Sequence, residues 1–112
     1  MARRGLPRSV DVCGVRIRVR RPAKVINDDQ EECFGTFDRE TCTIDVQRGL
    51  TPELEGWTFR HEIGHASFDH SGFEDFLAHF IPDAEKRRQV EEQAIKTWLP
   101  AYDAALRLRA KK

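Results

Sequence analysis

Residues 61–65 read His-Glu-Ile-Gly-His. On a helix, His61 and His65 stand one turn apart on the same face. Two imidazoles so stacked can both reach one metal ion. Glu62 is rotated by about 100° from His61, which sets it beside a water at the metal rather than on the metal itself. Zinc suits such donors: it acts as a Lewis acid and brings the pKa of its bound water near ~7. Glu62 then has the role of catalytic base, taking the water's proton and passing it to a leaving amine. These residues predict a zinc-dependent hydrolase that cuts a peptide bond, with His61 and His65 on Zn2+.

A catalytic zinc wants three protein ligands and one open position. His70 is the nearest further candidate, but on a continuing helix it points about 180° away from His61. His79 lies in Phe76-Leu-Ala-His-Phe-Ile, where a helix-face histidine is the plainer reading. Glu91 and Glu92 sit on a later helix that can bring a carboxylate to the metal by packing against the first. Glu91 shares a stripe with Ala94, Ile95, Trp98 and Tyr102, whereas Glu92 shares one with Lys96 and Leu99. The stripe favours Glu91 as third ligand and leaves Glu92, His70 and His79 open. Asp69, four residues after His65, either orients a ligand or ends the helix. Tyr102 is a donor to an oxyanion or a buried ring. Trp57, Phe59 and Phe68 are expected in the core.

The elements that must carry these residues are legible in the pattern. In Val10-Asp-Val-Cys-Gly-Val-Arg-Ile-Arg-Val-Arg-Arg, Val15, Ile17 and Val19 alternate with Arg16, Arg18 and Arg20. That period of two predicts a half-buried strand, with Gly14 at a turn or bulge. Residues 33–38 and 41–46 flank Asp38-Arg-Glu-Thr and predict a hairpin. The strand ending near Val46 is expected to pair with an extended substrate chain. Thr51-Pro52 opens a helix as cap and first residue, running to about His70 with Ser71-Gly72 as its stop. A shorter helix covers 73–80, and Asp83 caps a long helix from Ala84 that Pro100 should break or kink.

The predicted fold is therefore α+β. A small antiparallel or mixed sheet, from hairpins in residues 10–48, packs on the metal-binding helix and a C-terminal helix. One domain spans 10–106, between a flexible basic N-terminus (1–9) and a basic tail (107–112). Hydrophobic residues at 39% and charged residues at 34% exclude a disordered chain. Charge is balanced overall but uneven. Residues 1–24 carry eight Lys or Arg against Asp11 alone, and residues 25–85 carry fifteen acids against three bases. The basic segment reads as the wet side of a strand, or as a surface for nucleic acid. Cys13, Cys33 and Cys42 form no C-x-x-C pair and read as reduced, partly buried thiols. The first residues lack the apolar stretch of a signal peptide, and no apolar run approaches the ~18 residues of a membrane span. A cytoplasmic location without a membrane partner is expected.

Three segments together resemble a known family. These are Phe34-Gly-Thr-Phe-Asp-Arg-Glu-Thr-Cys-Thr-Ile-Asp-Val, Leu50-Thr-Pro-Glu, and Thr58-Phe-Arg-His-Glu-Ile-Gly-His-Ala. They are similar to the ImmA/IrrE-type zinc metallopeptidases, in particular to short phage- and prophage-borne members. Glu91-Glu-Gln-Ala-Ile-Lys-Thr-Trp-Leu-Pro resembles that family's downstream glutamate helix, with Glu91 three residues before the small Ala94. The resemblance covers roughly residues 10–106. It implies a gluzincin-like site with His61, His65 and Glu91 on zinc and Glu62 as base, acting on a regulatory protein such as a repressor. The helix-turn-helix domain of larger members has no counterpart here, so target recognition is expected within this domain or through a partner. The alternative is a zinc-stabilised regulatory module that binds a host protein or nucleic acid without proteolysis. A weaker alternative is a degenerate relative that binds no metal.

Overall fold

Hydrophobic alternation builds the sheet. The computed structural model describes residues 5–110, with side chains as far as Trp98. Strands β1 (Ser9–Val12) and β2 (Val15–Arg20) form an antiparallel hairpin in the register Val12↔Val15. Its two-residue turn puts Cys13 at φ 52° and Gly14 at φ 83°. Both are left-handed, as the tight hairpin turn requires, which suits Gly14 and leaves Cys13 exposed rather than partly buried. On β2, Ile17 and Val19 are buried while Arg16, Arg18 and Arg20 face water.

Strands β3 (Val25–Ile26) and β4 (Glu32–Cys33) form a separate two-stranded sheet. The side chain of Asn27 closes their connection by accepting from the Asp29 and Glu31 amides at 2.9 and 3.0 Å. Strands β5 (Gly35–Asp38) and β6 (Thr43–Val46) make the second hairpin. The main sheet has the order β1-β2-β6-β5, with β2 and β6 parallel and the other neighbours antiparallel. Strand β6 is thus internal, paired on both sides, and cannot accept an extended chain as expected. The sheet's open edge beside the helices is β5.

Helix α1 (Pro52–His70) begins where Thr51 Oγ1 accepts the Leu54 amide at 3.2 Å and ends at Ser71, before Gly72 at φ 86°. One of its faces lies on the sheet. Ala66, Phe59 and Ile63 meet Ile17, Ile44, Val46, Val12 and Phe37. Ile17, Ile44 and Val46 have no exposed surface, and each contributes roughly 2 kcal/mol of burial. Leu6 packs against the same core, so residues 6–9 belong to the fold rather than to a loose N-terminal arm.

Helix α2 (Phe73–Phe80) follows directly, and α3 (Ala84–Ala110) starts with Asp83 Oδ1 accepting the Glu85 and Lys86 amides. Of the break or kink expected at Pro100, the break does not occur: α3 continues through it. A proline deletes one backbone donor, and the bonds on either side can carry the helix past it. It also runs into the stretch expected to be a tail. The Tyr102 side chain lies outside the described residues. The fold is α+β: the described residues form three helices with a mixed four-stranded and a small two-stranded sheet. Among the described residues, no helix is long and apolar enough to cross a membrane.

Candidate metal centre

Trp57, His61 and His65 follow one another at four-residue spacing along α1, so their rings stack on one face. His61 lies 4.8 Å from Trp57, nearly parallel at 24°, and 4.9 Å from His65, edge-on at 73°. Helix α3 brings Glu91 and Glu92 across this face. Glu92 offers Oε1 to His61 Nε2 at 3.4 Å and Oε2 to His65 Nε2 at 3.0 Å. One ligand atom each from His61, His65 and Glu92 lies within 4.8 Å of the others. Ligands about 2.0–2.1 Å from one tetrahedral ion are separated by little more than 3 Å, so two imidazole nitrogens and a carboxylate oxygen at these spacings fit a zinc-type cation.

Glu91 takes a different part. Its Oε2 meets Nδ1 of His65 at 2.5 Å, on the side of the ring away from Glu92. A carboxylate there holds the tautomer that frees Nε2 as a donor atom and makes the ring a better base. The counterpart nitrogen of His61, Nδ1, is buried with no hydrogen-bond partner. The two rings are also shifted in opposite directions. Burial lowers the His61 pKa below the ordinary histidine value, and the neighbouring His65 lowers it further against the pull of Glu92. Burial works against charge on His65 too, but the hydrogen bond to Glu91 and the carboxylates of Glu62, Glu92 and Glu91 outweigh it and raise its pKa.

Glu62 is buried beside the two histidines. Burial pushes its carboxyl up to about 7, helped by Glu92 and opposed by His65. A carboxyl poised there can both accept and return a proton near neutrality. Its burial depends on a close approach of β5. A Cβ on Gly35 would stand 2.6 Å from Thr58 Cγ2, 3.0 Å from the Asp45 carbonyl and 3.4 Å from Glu62 Cγ, so only glycine lets this strand touch α1 here. His61, Glu62 and His65 open into a cleft of about 1350 Å³ whose walls include Thr36 and Phe37 of β5.

The expected histidine pair and the buried Glu62 are therefore brought together, but the third carboxylate within reach of both Nε2 atoms is that of Glu92, not Glu91. The stripe argument placed Glu91 correctly on the packed side of α3, its side chain 17% exposed against 38% for Glu92. Ile95 is buried, as that argument required, but Trp98 is 63% exposed. Glu92, three residues before Ile95, lies at the rim of that packed face and reaches the two Nε2 atoms from there. His70 ends α1 with its ring edge-on to Phe37, and His79 is exposed on α2; neither joins the group. Asp69 pairs with Arg39 at 3.4 Å rather than with His65. Trp57 is 40% exposed, not core, while Phe68 is buried as expected. The sequence argument did not single out Gly35 or the contact of Gly64 with Ile95. Gly64 stands inside the 61–65 motif, whereas nothing in the sequence ties Gly35, 26 residues before His61, to the site. No protein-family model matches this chain, and no curated protein or solved structure is significantly similar to it.

Proposed function

We propose that this chain is a zinc-dependent peptidase of the ImmA/IrrE type, acting in the cytoplasm on a protein substrate, in which His61, His65 and Glu92 hold the metal. The observation that carries the reading is the convergence of both Nε2 atoms and the Glu92 carboxylate, with Glu62 buried beside them in an open cleft. A zinc ion held by these residues supplies a Lewis acid that brings the pKa of water near ~7. Glu62 takes the proton of the attacking water and returns it to the leaving amine. Its carboxyl, near 7, is matched to both halves of that exchange. Glu91 orients His65 through Nδ1. The free edge of β5 offers main-chain partners for an extended peptide, which lies along the cleft in strand-like form.

The test uses the full chain purified without an affinity tag. Glu62→Gln keeps one zinc per chain by elemental analysis, while the new protein N-termini that wild type generates in a host extract fall by roughly 10²- to 10⁴-fold. Cleavage by Glu62→Gln at the wild-type rate removes Glu62 as base, and a wild-type chain that takes up no zinc removes the reading altogether. The alternative, a nucleic-acid-binding module, draws on the arginines of β2. It has less support, because Arg20 is tied to Asp45 at 2.9 and 3.2 Å and Arg21, just after β2, to Glu55 at 2.6 Å. DNA binding that falls steeply with salt and survives His61→Ala would favour it instead.

A further inference from the structure

Metal-binding imidazoles are ordinarily steered by a hydrogen bond to the nitrogen that does not bind. His65 follows that rule through Glu91. His61 does not, since its Nδ1 is buried without a partner. Something else must hold its ring, and the only groups in ring contact with it among the described residues are His65 and Trp57. The indole lies nearly flat on the imidazole, 4.8 Å between centroids at 24°. Burial does not account for a tryptophan here, since Trp57 is 40% exposed and stands outside the core cluster. Its position four residues before His61 puts it one turn upstream on the same face of α1, where an offset stack is the natural contact.

We propose that Trp57 is the positioning residue for His61: its indole face fixes the ring plane so that Nε2 points at the Glu92 carboxylate. The stack also favours the loaded site. An imidazole that carries a cation on Nε2 is electron-poor, and the electron-rich indole face attracts it more strongly than the free ring. The two histidines are thus held by different physics, a carboxylate on His65 and a π-face on His61. Removing either support frees one ligand. The proposal rests on the reading of His61, His65 and Glu92 as metal ligands.

Zinc affinity of the full chain, measured by competition with a chromophoric chelator, tests it. Trp57→Ala should weaken zinc binding by about 3- to 30-fold, and Trp57→Phe should restore most of the loss. Trp57→Leu, which keeps apolar bulk but has no π-face, should behave like Trp57→Ala. If leucine restores affinity as well as phenylalanine does, the side chain acts by bulk alone and the proposal fails. It fails equally if Trp57→Ala binds zinc as tightly as wild type. Fluorescence gives an independent readout. The emission change on adding zinc should persist in Trp98→Phe and vanish in Trp57→Phe, and the opposite pattern overturns the proposal. A wild-type chain that binds no zinc in the same titration removes the metal reading and Trp57's role with it. Zinc bound equally by wild type and Trp57→Ala removes Trp57 alone.

Discussion

Glu91 and Glu92 are adjacent in the chain yet reach opposite nitrogens of one ring, Nδ1 at 2.5 Å and Nε2 at 3.0 Å. Neighbours on a helix point about 100° apart, so one of them can sit with the proposed metal while the other stands behind the ligand. This division makes their substitutions distinguishable. Glu92→Ala removes a proposed ligand and should abolish stoichiometric zinc. Glu91→Gln leaves all three ligands but weakens the steering of His65, and should cost about 10- to 100-fold in zinc affinity. Equilibrium zinc titration of the two variants checks this. If Glu91→Gln loses zinc and Glu92→Ala keeps it, the assignment must be reversed.

Two glycines set how closely the elements approach the site. Gly35 brings β5 onto α1 beside Glu62, and Gly64 brings α3 onto α1, where an added Cβ would stand 3.1–3.3 Å from three carbons of Ile95. Ile95 is 4% exposed and one turn beyond Glu91 and Glu92, so any displacement there moves both carboxylates. Gly64→Ala gains up to about 1 kcal/mol of helix propensity, which offsets part of the crowding. Its effect on stability should therefore be small, about 1 kcal/mol either way. Zinc affinity should nonetheless fall at least about tenfold, because ligand positions within ~0.5 Å matter. Trimming the opposing side chain in Gly64→Ala/Ile95→Val should recover part of that loss, a coupling that a double-mutant cycle reads directly. Additive losses would mean that the two residues do not set the distance.

The molecule measures 50 × 38 × 25 Å, stretched by α3, whose 27 residues span roughly 40 Å. Among the described residues, the fully buried side chains are few, and they lie between α1 and the sheet. The seam between α1 and α3 has Ile95 as its buried apolar residue, together with the carboxylates around the histidines. A cation shared by His61, His65 and Glu92 would tie the two helices together. Zinc at a hundredfold excess over its Kd should therefore stabilise the chain by about 2.7 kcal/mol, read as a rise in Tm. The rise should disappear in Glu92→Ala. A Tm that zinc leaves unchanged in wild type argues against a site spanning both helices.

Local pattern was enough for most of the architecture. Alternating valines, isoleucines and arginines placed β2, the Thr51-Pro52 and Ser71-Gly72 signals bounded α1, and four-residue spacing alone aligned His61 with His65. Each of these depends on residues within one or two turns of each other. The other half of the site depends on contacts between elements. Which of Glu91 and Glu92 reaches the two Nε2 atoms, and which stands behind His65, turns on the rotation of α3 about its axis, which the packing of Ile95 on Gly64 sets. Whether β5 or β6 is the open edge turns on a parallel pairing of β2 with β6, which no hairpin signal encodes. Periodicity separates neighbours about 100° apart and so ranks Glu91 and Glu92 by burial, but which ring nitrogen each carboxylate reaches is decided only when α3 docks on α1.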